Sequence, residues 1–148
     1  MSEHIALDVS INAPAPAVWQ AITDWPAQGK WMLGTKVWVT HGDGASAGST
    51  LAAFTGIKPV GFLDTMTITT WEPPHRCDVI HTGTVVRGTG TMAVEDLGNG
   101  RSKFLWSEDL DLPLGLVGRV GFVLVKPLFV AGVRASLEKF ARLVEADF

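Results

Sequence analysis

Apolar and polar residues alternate near the start of the chain: Ile5, Leu7, Val9 and Ile11 share one parity, with Asp8 and Ser10 on the other. A period of two predicts a half-buried strand over 4–11. Asn12-Ala13-Pro14-Ala15-Pro16 ends it, and Val18, Trp19 and Ile22 then recur at helical spacing. Pro16 falls in the first turn of that short helix, where proline is tolerated. Thr23-Asp24 offers a cap for a second short helical stretch through Trp31. From Thr35 the pattern turns to β, with strands predicted over 36–40, 50–55, 62–71, 76–82, 85–95 and 101–112. Turns at His41-Gly42-Asp43-Gly44, Glu72-Pro73-Pro74 and Leu97-Gly98-Asn99-Gly100 separate them. Residues 56–61 read as a loop with an apolar tip. Met66, Ile68 and Thr70 share one parity of their strand, and Phe104, Trp106, Glu108 and Leu110 share one parity of the last.

Pro113 stops the sheet, and 114–146 reads as one long helix. Val130, Val133, Leu137, Phe140 and Val144 form a regular apolar stripe along its second half. Its first half carries Gly115, Gly118, Gly121 and Gly132, and Pro127 predicts a kink. A run of antiparallel strands needs its apolar face covered, and this helix is the only large cover available. The order therefore predicts a single α+β domain over 1–148. A curved antiparallel sheet of about seven strands closes on the C-terminal helix, with two short helices after the first strand. A pocket is expected beneath the glycine-rich front of the long helix.

The net charge of −3, without a basic patch, removes the electrostatic footprint of a nucleic-acid binder. One cysteine, Cys77, allows no internal disulfide. Met1-Ser2-Glu3-His4 lacks the basic start and apolar run of a secretory leader, so a cytoplasmic location is expected. The apolar stretch 114–133 contains Arg119, Lys126 and Pro127. A charge near a bilayer centre costs about 2.5–3.5 kcal/mol, so a helix closing a cavity is expected rather than an integral membrane span. Six tryptophans and no tyrosine suit either a wall for a flat, oily ligand or plain core. The oligomeric state is not fixed; a homodimer is compatible with the sequence.

The order of these elements resembles the START-like superfamily, also called SRPBCC or helix-grip, and within it the polyketide cyclase/dehydrase-like branch. The resemblance runs nearly end to end. It is carried by Val9-Ser10-Ile11-Asn12-Ala13-Pro14 with Val18-Trp19, by Asp24-Trp25-Pro26 with Lys30-Trp31, and by Thr67 to Arg76. Gly98-Asn99-Gly100-Arg101-Ser102, leading into the Trp106 strand and the terminal helix, completes it. The resemblance implies the helix-grip fold and a deep cavity for lipids, sterols, quinones or polyketides. Some such proteins catalyse cyclisation or dehydration, and fold alone does not choose among these activities.

Among polar residues, Glu108 has two readings. Facing inward with Trp106, it would be a buried carboxylate with a raised pKa, suited to acid/base work. Facing solvent, or paired with Arg87 or Arg119, it would be structural. His81 shares parity with Cys77 and Val79, and is either a proton donor to a ligand carbonyl or a partly exposed strand histidine. Asp64 and Arg87 are further polar candidates, read as surface rather than site and assigned no role without their facing. His75, Cys77 and His81 match no common zinc spacing, so no metal and no cofactor are expected. Gly83, Gly88 and Gly90 suggest bulges or sharp sheet curvature.

For ligand contact the expected residues are Trp38, Phe54, Met66, Ile68, Phe104 and Trp106 from strands, with Val120, Leu124 and Leu128 from the helix. The same side chains could instead fill ordinary core. The loop 56–61 and the front of the helix form the expected portal. Three functions follow. The first is a binding protein for a hydrophobic small molecule. The second is a polyketide cyclase or dehydratase using Glu108 and His81. The third is an interaction module using an exposed apolar helix face.

Overall fold

A computed structural model describes residues 2–57, 59–111 and 115–147. Strand β1 (Ser2–Ile11) leads into helix α1 (Ala15–Ile22) and a 3-10 segment, Trp25–Lys30. Six strands follow: β2 (Thr35–His41), β3 (Thr50–Ile57), β4 (Val60–Glu72), β5 (Arg76–Thr82), β6 (Arg87–Gly98) and β7 (Arg101–Asp111). Helix α2 (Gly115–Glu145) closes the chain. Pro113 and Leu114, the predicted sheet stop and helix start, lie outside the described residues, as do Leu112 and Lys58.

The strands form one antiparallel sheet in the order β1-β7-β6-β5-β4-β3-β2. Five neighbouring pairs form a meander from β2 to β7. The two short helices carry the chain from β1 to the far edge strand β2, and the meander then returns to β1. This is the α+β helix-grip architecture. The second of the two expected short helices is a 3-10 segment.

The second half of α2 anchors the core. Val133, Leu137, Phe140, Ala141 and Val144 are buried, as the 3-and-4 spacing requires. The Phe140 ring sits 4.8 Å from Trp31 and 5.3 Å from Phe104, and the Trp31 and Phe104 rings are 6.2 Å apart. Trp19 meets Trp71 at 5.0 Å, edge to face. Ser136 ties the helix to the chain before β2: its Oγ donates to the Gly132 carbonyl and accepts the Leu33 amide.

The first half of α2 behaves differently. Val117, Val120, Val123 and Leu124 are more than half exposed, and Leu128 is 78 % exposed. The helix continues through Pro127. By length and composition α2 could cross a membrane, but its buried second half makes it the structural helix of this fold.

Three local expectations change. Much of the expected loop 56–61 is sheet, because Gly56 pairs with Gly61 and Ile57 with Val60. A register shift between Ile68 and Thr70 turns Trp71 onto the inner face with Ile68 and leaves Thr70 opposite Asp78. Strand β6 keeps an unbroken register past Gly88 and Gly90, its shift falling between Asp96 and Gly98. Those two glycines therefore serve a different need, described below.

Candidate functional site

A cavity of about 340 Å3 lies between the sheet and the middle of α2. Strand alternation builds its floor. Val37 of β2, Leu51 and Ala53 of β3, Met66 of β4, Cys77 and Val79 of β5, and Trp106 of β7 all point into it. Leu128, Phe129, Gly132 and Val133 cover it from the helix, and Phe129 lies 6.3 Å from the Trp106 ring. Leu33, Phe62, Leu128 and Phe129 line it while more than a third exposed, so they mark its opening.

The charged side chains on this wall are Asp64, His81 and Glu108, and they form one cluster. His81 Nδ1 is 2.8 Å from Asp64 Oδ1, and His81 Nε2 is 2.7 Å from Glu108 Oε2. The His81 side chain is 3 % exposed, Asp64 15 % and Glu108 13 %. Asp64 reaches His81 along a diagonal, since the residue directly opposite His81 on β4 is Met66. Glu108 has further to go. Strands β5 and β7 are separated by β6, hence by about 9.5 Å.

Gly90 makes that reach possible. It lies directly opposite Glu108 on β6, and a Cβ there would sit 2.9 Å from both carboxylate oxygens. Its missing side chain is the space through which the Glu108 carboxylate lies over β6 towards His81. Gly88 is constrained by backbone: its φ is 118°, and an added Cβ would collide with the Asp109 carbonyl.

Burial is the largest influence on His81 and disfavours its charged form, but the bonds and charges of the two carboxylates outweigh it. The imidazole is pushed up to about 10 from an ordinary 6.5. Burial also dominates at Glu108 and raises its pKa, with the bond to His81 and its charge opposing. These directions describe one proton in the Nε2–Oε2 bond. Asp⁻, imidazolium and Glu⁻ carry the same protons as Asp⁻, neutral imidazole and protonated Glu. In either form both His81 nitrogens are engaged. Glu108 Oε1 and Asp64 Oδ2 accept no hydrogen bond among the described residues, so they are the oxygens a ligand can meet.

The expected contact residues separate into groups. Met66, Trp106 and Leu128 line the cavity. Ile68 and Phe104 are 1 % and 0 % exposed, packed in the solid core behind it. Trp38 and Phe54 line a separate surface cleft with Lys36 on the other face of β2 and β3, because Val37 and Ala53 hold the inward parity. Val120 and Leu124 are exposed on the front of α2. The cavity thus lies under 128–136, at the rear of the glycine-rich front half and the turn that follows it, and not under Val120 and Leu124.

Glu108 pairs with His81, and with neither Arg87 nor Arg119. Asp64, read as a surface residue, is a member of the cluster; its shared parity with Met66 on β4 was the available signal. Among the described residues, no group of three or more His, Cys, Asp or Glu side chains is arranged to hold a metal ion.

Over residues 2–145 the chain matches the family model described as polyketide cyclase/dehydrase and lipid transport. The fold is similar to an aromatase/cyclase from Streptomyces sp. R1128, with a TM-score of 0.81 at 14 % identity, covering 98 % of this chain and 94 % of that one. It is similar to norcoclaurine synthase from Thalictrum flavum in complex with dopamine and hydroxybenzaldehyde, with a TM-score of 0.68 at 18 % identity, covering 97 % and 87 %. A START superfamily protein from Mycobacterium smegmatis gives a TM-score of 0.69 at 14 % identity, covering 97 % and 95 %. No curated protein sequence matches the chain. At these identities the structural likenesses establish the fold alone.

Proposed function

This chain belongs to the polyketide cyclase/dehydrase and lipid transport family, and on that premise we propose that it binds a hydrophobic small molecule in the cavity between sheet and α2. The observation that carries the reading is a mostly apolar cavity with one concentrated polar cluster on its wall. Ligand sites have this form: apolar surface supplies affinity and a few polar groups orient the guest. A volume of about 340 Å3 suits a compact fused-ring body better than a diacyl lipid.

The test is a titration with the neutral dye N-phenylnaphthylamine, whose fluorescence rises in apolar surroundings. Saturable uptake at one site is expected. Ala53→Phe, which fills the cavity from β3, should abolish it. Uptake that survives this substitution would place the dye on the exposed front of α2 and overturn the cavity reading.

A second reading, a cyclase or dehydratase, is favoured by the Asp64–His81–Glu108 cluster. Glu108 Oε1 would take a proton from a carbon next to a ligand carbonyl, while His81 and Asp64 hold the carboxylate in place. The proton stored between Glu108 and His81 could pass to a departing hydroxyl, releasing water as the carbon–carbon double bond forms. An aromatase/cyclase shares the fold. The aldol adduct of benzaldehyde and acetone serves as probe, since its dehydration to the conjugated enone is followed by absorbance. Glu108→Gln should lower turnover more than affinity. Equal turnover in the variant and the parent would remove this reading.

A further inference from the structure

The charge on the cavity wall is one-sided. Asp64 and Glu108 bring two carboxylates, and His81 is the imidazole between them. Two negative charges and one imidazolium leave a net −1, and moving the shared proton onto Glu108 leaves the same total. Loss of that proton would make it −2. The sign is therefore negative wherever the proton sits.

Nothing else on the described wall offsets it. Among the described residues, no lysine or arginine lines the cavity. The other polar side chains there, Gln28, Thr35, Thr55, Thr91 and Ser136, are neutral. Thr35 and Thr55 bond each other at 3.0 Å, and Ser136 is engaged with Leu33 and Gly132. The free oxygens of the cluster, Glu108 Oε1 and Asp64 Oδ2, only accept hydrogen bonds while ionised.

Resting on the cavity-binding reading, we propose that this site selects its ligand by charge. It takes an apolar body that carries a hydrogen-bond donor, either a hydroxyl or a protonated amine, and it rejects carboxylates and other anions. A donor satisfies an ionised oxygen that is otherwise half-desolvated. An anion would lie in a mostly apolar cavity beside a like charge, with no lysine or arginine on the described wall to neutralise it. Free fatty acids and acidic aromatic compounds are thereby excluded, whereas neutral alcohols, phenols and amines fit.

The test displaces bound N-phenylnaphthylamine with three competitors that share one aromatic body: naphthylethanol, naphthylethylamine and naphthylacetic acid. At neutral pH the acid should compete at least about tenfold more weakly than the alcohol, and the amine at least as well as the alcohol. In the double variant Asp64→Asn, Glu108→Gln the gap between acid and alcohol should close to within about threefold, since the net negative charge is gone. Dye uptake with the acid competing as well as the alcohol would overturn selection by charge and leave the cavity reading standing. A gap that persists unchanged in the folded double variant would also overturn it. Absence of saturable dye uptake in the parent would overturn both readings, so the two failures are distinguishable. If the double variant does not fold, the ranking in the parent protein still decides.

Discussion

Glu108 on β7 reaches His81 on β5 across the strand between them, closing to 2.7 Å over the bare backbone of Gly90. The contact depends on a residue that takes no part in it. Gly90 has an ordinary backbone conformation, so any cost of replacing it comes from space and not from strain. Gly90→Ala would press a methyl group against both Glu108 oxygens. We expect a loss of about 1–3 kcal/mol in stability and a lower pKa for His81, read from the pH titration of its ring protons by NMR. An unchanged titration would show that Glu108 reaches His81 by another path.

The cluster also makes stability depend on pH in a defined direction. His81 titrates at about 10 in the fold against 6.5 as its ordinary value. Between those values the folded protein holds more protons than the unfolded chain. The cluster's contribution is therefore full below about pH 6.5 and is lost as the pH rises through about 10. Glu108, raised by burial, acts in the same sense over a lower window: its part is full only below its ordinary 4.5 and is lost as the pH rises through its raised value. Urea midpoints should fall from about pH 7 to about pH 10, and fall less steeply in Glu108→Gln. Parallel curves for the two proteins would contradict this coupling.

The two halves of α2 should respond differently to truncation. Phe140 is 1 % exposed between Trp31 and Phe104, and Phe140→Ala should cost about 3–5 kcal/mol. Leu128 is 78 % exposed while lining the cavity. Leu128→Ala should change stability by less than about 0.5 kcal/mol and yet weaken dye uptake. Chemical denaturation beside the dye titration separates these outcomes; a large stability loss at Leu128 would mean that the front of α2 is packed.

Cys77 lines the cavity and is 1 % exposed. Burial, with some help from the Asp78 charge, pushes its thiol up to about 12. It should react with a disulfide reagent at least about a hundredfold more slowly in the native protein than in urea. Bound dye should slow it further. Rapid native reaction would indicate that the cavity floor opens.

Much of this architecture was legible in local periodicity. Alternation along β1 and β7 and the apolar stripe from Val133 to Val144 are properties of single segments, and each segment folds to hide its own apolar side. The order of elements then left one helix to cover one sheet. The same period of two groups Cys77, Val79 and His81 on one side of β5, and Trp106 and Glu108 on one side of β7, but leaves open whether those sides face inward.

What local pattern could not supply was distance between strands. Trp38 and Phe54 are as apolar as any cavity residue, but Val37 and Ala53 hold the inward parity, and only pairing across the sheet shows which parity wins. Val120 and Leu124 read as cover, but the helix seats on the core through Val133 to Val144 and leaves its front exposed. The cluster is the clearest case. Asp64, His81 and Glu108 are spread over 45 positions of chain and come from three strands. They meet because antiparallel registers align them and Gly90 leaves the gap open. The chain's own pattern decided that a sheet and a helix would enclose apolar surface. Only the tertiary register, which acts between segments, decided that a negatively charged cluster would stand on the cavity wall.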